Sequence, residues 1–308
     1  MLIERALPWS MSYRELRANG ASRDGINLAL ASGALIRARR DNYLPGDCPS
    51  EVVAAVRVGG RLDCVSLLRL LGVFVMKDDR RLHLQIPRAR TLLRSPTSRA
   101  VRLDGTLHGV VTHWRDDPIP ERSTVADIAP AIARAVICQE PRAAIATLDS
   151  AIHVGLLPED RLSEVFALLP HRLRRLRIHI DGRAESGPES LVRLIARSTG
   201  AHVEVQVMID GVGRVDILID GWLIVECDSR AHHATWEQQQ EDRRRDLEAA
   251  RRGFVTLRPT ARQIFDTPHL VREAIWSLLQ SGRPAQIRQI SPNRPIRPVH
   301  GVVSAGLP

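Results

Sequence analysis

Apolar and polar positions change period several times along this chain, and each change marks an element. Residues 203–208, 215–219 and 222–227 carry runs or alternations of branched apolar side chains, which predict three strands. A helical pattern precedes them over 188–198. A polar helix follows over roughly 235–251 and is stopped by Gly253. Residues 254–257 read as a fourth strand and 269–279 as a last helix. The order α-β-β-β-α-β-α over 184–280 predicts a mixed sheet with helices packed on it.

The first 48 residues have a different plan. Residues 13–17 suggest a short helix ending near Gly20. Ser22 can cap a second helix that Gly33 stops. The stretch 35–44 alternates apolar and basic residues around an Asp41-Asn42 turn, as a wing would. Helix, turn, helix and basic hairpin make a winged helix-turn-helix, with Arg23, Arg37, Arg39 and Arg40 as candidate DNA contacts. The same elements could also form a cap that touches no nucleic acid. Between 49 and 180 the pattern is mixed. Residues 51–58, 64–71, 126–137, 141–154 and 161–169 look helical, and 81–86 and 107–113 look like strands. The basic run 171–177 reads either as a phosphate track or as a solvated helix face. The fold class is therefore α/β (α+β) throughout, with four segments: 1–48, 49–180, 184–280 and a basic, proline-containing tail, 281–308, expected to be disordered.

Within the predicted sheet stand acids that an apolar strand does not want. Asp216 lies in Arg214-Val215-Asp216-Ile217-Leu218-Ile219, and Glu226 and Asp228 lie in Leu223-Ile224-Val225-Glu226-Cys227-Asp228. Burying them is costly unless a cation or a donor meets them, so they suggest a divalent metal and phosphodiester hydrolysis. Glu226 and Asp228 share a strand face. Asp216 joins Glu226 only if the loop around Asp220-Gly221 has an odd length. A two-residue turn would pair Asp216 with Val225 and put the acids on opposite faces. Glu189 is either a further site acid or the third helical residue of a capping box opened by Ser186. His232 and His233 offer a general base or a phosphate contact, or are plain loop histidines. Arg245 is either a phosphate clamp or one partner in ion pairs along its helix.

Composition narrows the partners. The 308 residues carry a net charge of +9, which favours a polyanion such as DNA. Lys77 is the only lysine, so no other lysine can serve a catalytic site. Cys48, Cys64, Cys138 and Cys227 form no C-x-x-C pair and do not cluster with histidine at zinc spacing along the chain. They read as reduced, mostly buried thiols of a cytoplasmic protein. No signal pattern opens the chain, and no apolar run is long enough to span a membrane.

Gly187-Pro188-Glu189-Ser190, Arg214-Val215-Asp216, Val225-Glu226-Cys227-Asp228, His232-His233, Asp242-Arg243-Arg244-Arg245-Asp246 and Gly253-Phe254 occur in this order. Together they resemble the domain of unknown function related to very-short-patch-repair (Vsr) endonucleases, within the PD-(D/E)xK restriction-endonuclease-like superfamily. The resemblance covers about 95 residues, 184–279. It implies that Glu189, Asp216 and Glu226 occupy acidic metal-site positions. Asp228 stands where the wider superfamily often has lysine, and His233, or His232, is the histidine after the E-x-D motif. Ser229 departs from the usual glycine. Residues 13–44 resemble the winged helix of AbiEi-type antitoxins, and Ala146-Thr147-Leu148-Asp149-Ser150-Ala151 resembles a segment common in such two-module proteins. The expectation is a DNA endonuclease or nickase using Mg2+ or Mn2+, held by Asp216, Glu226 and Asp228. The alternative is an AbiEi-like DNA-binding regulator with an inactive nuclease-like scaffold and a toxin encoded nearby as partner.

Overall fold

The computed structural model describes residues 9–76, 80–227 and 236–282, the side chain of Gln238 excepted. Lys77 and the basic tail beyond Gly282 lie outside the described residues. The content is mixed α and β, with three small sheets among the described residues.

The N-terminal elements are helix α1 (Tyr13–Ala18), helix α2 (Arg23–Ser32) and strands β1 (Leu35–Arg39) and β2 (Asn42–Pro45). Ser12 and Glu15 close a full capping box on α1, and Ser22 caps α2, whose C-terminal Gly33 is left-handed. The hairpin turns at Arg40-Asp41, one residue earlier than the sequence suggests. Asp41 takes a φ of 55° there and Arg39 pairs with Asn42. Arg23, Arg37 and Arg40 are exposed. Arg39 is not available in the same way. Its guanidinium donates to the carbonyls of Arg57, Val58 and Leu92 at 2.7–3.2 Å. A cation at the end of a helix satisfies carbonyls that have no partner within it. Arg39 thus ties the hairpin to helix α3 (Ser50–Val58), against the sequence expectation of a DNA contact. Gly59, which follows α3 with a φ of 109°, lies so close that a Cβ there would sit 2.6 Å from the Arg39 Nη1.

Strand β3 (Arg61–Leu62), too short to announce itself by pattern, leads into helix α4 (Cys64–Leu70). Strands β4 (Leu82–Ile86) and β5 (Val110–Trp114) pair in parallel, and β3 adds antiparallel to β4. This three-stranded sheet packs on α3 through Val52, Ala55, Leu62, Leu84 and Ile86. Helices α5 (Ile128–Cys138), α6 (Pro141–His153), α7 (Leu162–Ala167) and α8 (His171–Arg174) follow. α5, α6 and α7 bury Ile132, Val136, Leu148, Val165 and Phe166 against α4. The basic run at 171–177 is an exposed surface of α8 and the 3-10 turn after it. Arg174 donates back to Leu169 and Ala167, and Arg177 lies over the Phe166 ring.

The last unit begins with helix α9 (Gly187–Arg197). Strands β6 (Val203–Ile209), β7 (Gly213–Ile219) and β8 (Leu223–Val225) form an antiparallel meander. Helix α10 (Trp236–Arg251) then returns the chain to strand β9 (Val255–Leu257), which pairs parallel with β8. Helices α11 (Ala261–Asp266) and α12 (Pro268–Ser281) finish the unit. α9, α11 and α12 cover one face of the sheet through Leu191, Ile195, Ile217, Leu223, Val225, Ile264 and Ile275. Ala249 of α10 meets Val215, Leu218 and Ile224 on the other. Among the described residues no helix is long and apolar enough to cross a membrane.

Candidate functional site

The hairpin between β7 and β8 decides whether the acids can meet. Ile219 pairs with Leu223, so Asp220, Gly221 and Trp222 form a three-residue loop, the odd length the sequence requires. Asp220 and Gly221 are both left-handed, with φ values of 49° and 72°, and Trp222 donates to the Ile219 carbonyl. The next residue along β8 therefore falls opposite Ile219. The last ladder pair at the other end is Ile217 with Val225. One step further, Asp216 and Glu226 face each other, and side chains take over from the ladder. The Asp216 amide donates to Glu226 Oε2 at 3.3 Å, and the Cys227 amide donates to Asp216 Oδ2 at 2.8 Å. Glu226 keeps its strand position because its own amide reaches the Leu257 carbonyl on β9.

Glu189 arrives from the first turn of α9. It faces the sheet from a helix capped by Ser186, whose hydroxyl accepts from the Glu189 amide at 3.3 Å, but its carboxylate does not reach the Ser186 amide to close a capping box. Its Oε1 accepts from the Ser186 hydroxyl at 2.7 Å and its Oε2 from the Glu185 amide at 2.9 Å. Gln206 of β6 closes the group. Its Nε2 donates to Glu189 Oε2 at 2.8 Å and leans toward Asp216 Oδ1 at 3.5 Å. Its Oε1 is buried with no hydrogen-bond partner. Gln206 has a φ of 54°, a left-handed backbone inside a strand that only tight surroundings maintain. Sequence reasoning passed over Gln206. The usable signal is register: in the β6–β7 hairpin it lies across from Asp216, between the pairs Val205–Ile217 and Val207–Val215.

Two arginines border the acids. Arg245 of α10 donates to Glu226 Oε1 at 3.1 Å and to the carbonyls of Val212 and Arg214. It is fastened to the β6–β7 hairpin and to the acid group, and it also pairs along α10 with Asp242 at 4.0 Å. Arg258, just past β9, bonds Asp246 at 2.6 Å and adds positive potential at Glu226. Even so, burial and the neighbouring charge of Asp216 push Glu226 up to about 6. Burial likewise holds Glu189 above the ordinary carboxylate value. Such a group favours any cation that relieves it.

Hard oxygen donors of this kind suit Mg2+ or Mn2+. The carboxylates of Asp216 and Glu226, with the unpartnered Gln206 Oε1 beside them, fit such an ion. Glu189, with both oxygens already engaged, stands behind them. Asp228, His232 and His233 lie outside the described residues.

A second group of ligand-type side chains was not legible in the sequence. Cys64, His83, His113 and Cys138 each offer an atom, and these four atoms lie within 4.8 Å of one another. All four cysteines are free, but Cys138 is exposed and Cys48 half-buried, against the expectation of mostly buried thiols. Compared with known proteins, the chain matches no family model and no curated protein.

Proposed function

We propose that the chain is a metal-dependent DNA endonuclease or nickase of the Vsr-like kind, brought to DNA by an AbiEi-like winged helix. The observation that carries this reading is that Asp216 meets Glu226 directly and Glu189 through Gln206, three acids from three separate elements. Asp216 and Glu226 would hold Mg2+ or Mn2+. A bound divalent ion supplies an acidified water and offsets charge at a scissile phosphate. Gln206 holds Asp216 and Glu189 in register, and Arg245 and Arg258 set the positive potential that draws a phosphate to this end of the sheet. A plasmid-nicking assay with Mg2+ or Mn2+ tests the reading. The wild type should nick, and Asp216→Ala should not. Cleavage unaffected by that substitution would reject the site.

One observation favours the second reading, a DNA-binding regulator. Glu226 is already ion-paired to Arg245, and both Glu189 oxygens are spent on the cap and on Gln206. No nicking in either metal, with specific binding to a promoter, would support it.

Both readings need the N-terminal module on DNA. Arg37, lying over the Tyr43 ring at 5.8 Å, and Arg40 at the turn present exposed charge on the hairpin. The double variant Arg37→Ala/Arg40→Ala should weaken DNA binding. It should also flatten the slope of log affinity against log salt by about 2, one unit for each lost phosphate contact. Fluorescence anisotropy at several salt concentrations measures this. An unchanged slope would remove these residues from the interface.

A further inference from the structure

The cluster of Cys64, His83, His113 and Cys138 belongs to neither reading above and stands on its own geometry. Cys64 is the first residue of α4, and Cys138 the last of α5. His83 and His113 lie on the adjacent parallel strands β4 and β5. Their register pairs His83 with Val111 and Gln85 with His113, which sets the two rings diagonally on one sheet face. His83 Nδ1 is 3.2 Å from His113 Nε2, and Cys138 Sγ is 4.0 Å from the same Nε2. All four donor atoms fall within 4.8 Å of one another.

We propose that these residues form a structural Cys2His2 zinc site that ties the α4–α5 helix layer to the three-stranded sheet. With Zn–S near 2.3 Å and Zn–N near 2.0–2.1 Å, tetrahedral ligand atoms sit roughly 3.3–3.8 Å apart. The cluster needs only a small contraction to reach that. Two thiolates and two neutral imidazoles also give a neutral centre with Zn2+, which suits burial. Soft sulfur with imidazole selects zinc over the hard cations expected at the carboxylates. The bland alternative leaves two histidines, each less than a tenth exposed, bonded to each other at 3.2 Å and otherwise facing two sulfurs, which are weak hydrogen-bond partners.

The surroundings hold the ligands in place. Asp63, before Cys64, is fully buried and takes a bidentate pair from Arg115 at 2.5 and 2.9 Å. Arg115 in turn lies two residues beyond His113. Ser66 accepts from the His83 amide at 3.0 Å and donates to the Arg81 carbonyl. Asp63 also donates its amide to the His83 carbonyl. Cys64 takes a left-handed φ of 52°, a strained conformation fixed between these contacts and α4. Cys138 lies at the exposed edge, where an ion can enter.

The test is metal analysis of the full chain purified without chelator and, separately, reconstituted with Zn2+. About one zinc per chain is expected. It should persist in the double variant Asp216→Asn/Glu226→Gln, which separates it from the carboxylate site. Cys138→Ser, at an exposed position where folding should survive, should weaken zinc binding by at least about 100-fold. Cobalt-substituted wild type should show thiolate-to-metal charge transfer and the ligand-field bands of a tetrahedral ion. Removing the metal should lower the melting midpoint by roughly 10 °C. Zinc well below one per chain after reconstitution would overturn the proposal. So would cobalt spectra lacking sulfur ligation, or a Cys64–Cys138 disulfide in the reduced-buffer preparation.

Discussion

Glu226→Gln should make the protein more stable at pH 7.5 and, on the proposed nuclease reading, abolish metal-dependent nicking. In the folded chain, burial and the Asp216 charge hold Glu226 up to about 6, against an ordinary value near 4.5. A carboxylate whose folded pKa is raised binds its proton more tightly folded than unfolded. Wild-type stability therefore falls as pH rises from about 4.5 to 6 and stays lowered above that. The shift corresponds to roughly 2 kcal/mol, offset in part by the Arg245 bond that the amide loses. The variant should thus gain about 1 kcal/mol at pH 7.5 and close to nothing at pH 4. Activity should drop on the order of a thousandfold, because a neutral amide neither holds the cation nor competes for it in the same way. On the same reading, wild-type nicking should rise with pH along a limb at or below about 6, where proton and metal would contend for one oxygen. Urea denaturation at the two pH values and a pH–rate profile measure these effects. An equal stability difference at both pH values would show that the acid group stores no electrostatic strain.

The largest loss of stability should come from Arg193→Met. Arg193 of α9 and Asp149 of α6 are both fully buried and bond at 2.6 Å. Arg193 also donates to the His179 carbonyl, and Asp149 accepts from the Asp181 amide. This pair stitches the middle helices to the helix that carries Glu189. Removing one partner of a buried ion pair leaves a stranded charge and typically costs about 3–5 kcal/mol, here a fall of about 5–8 °C in the melting midpoint. The double variant Asp149→Leu/Arg193→Met should recover part of that, since two well-packed apolar side chains leave no charge behind. Thermal denaturation of both variants decides it. A single variant within about 0.5 kcal/mol of wild type would mean that water reaches Asp149. The sequence offers the segment around Asp149 only as a resemblance with no chemistry attached. Its partner is 44 residues away, and burial of both emerges only when α6 packs on α9.

Periodicity and caps made most elements legible, because they depend on neighbours within a few residues. Ser22 and Ser186 cap the helices they precede, and Gly33 ends α2 where expected. Elements with little pattern were missed. β3 spans two residues, and α11 is a six-residue helix announced only by the Thr260–Gln263 capping box. The Asp216–Glu226 meeting was also readable, since strand alternation converts a loop length into a face. Asp220-Gly221 needed one extra residue after it, and Trp222 is that residue.

By itself, then, the sequence determined the local elements, the two acids that a strand cannot bury without compensation, and the parity of the loop between them. Only the tertiary structure decided the rest. It turned Arg39 inward to cap α3, set Gln206 between Glu189 and Asp216, and fastened Arg245 to the acid group. It also drew Cys64, His83, His113 and Cys138 together from four elements. The reason is physical. Helix and strand periods bind a residue to neighbours a few positions away, whereas a shared ligand or a capped carbonyl requires two elements to pack, and packing carries no period along the chain.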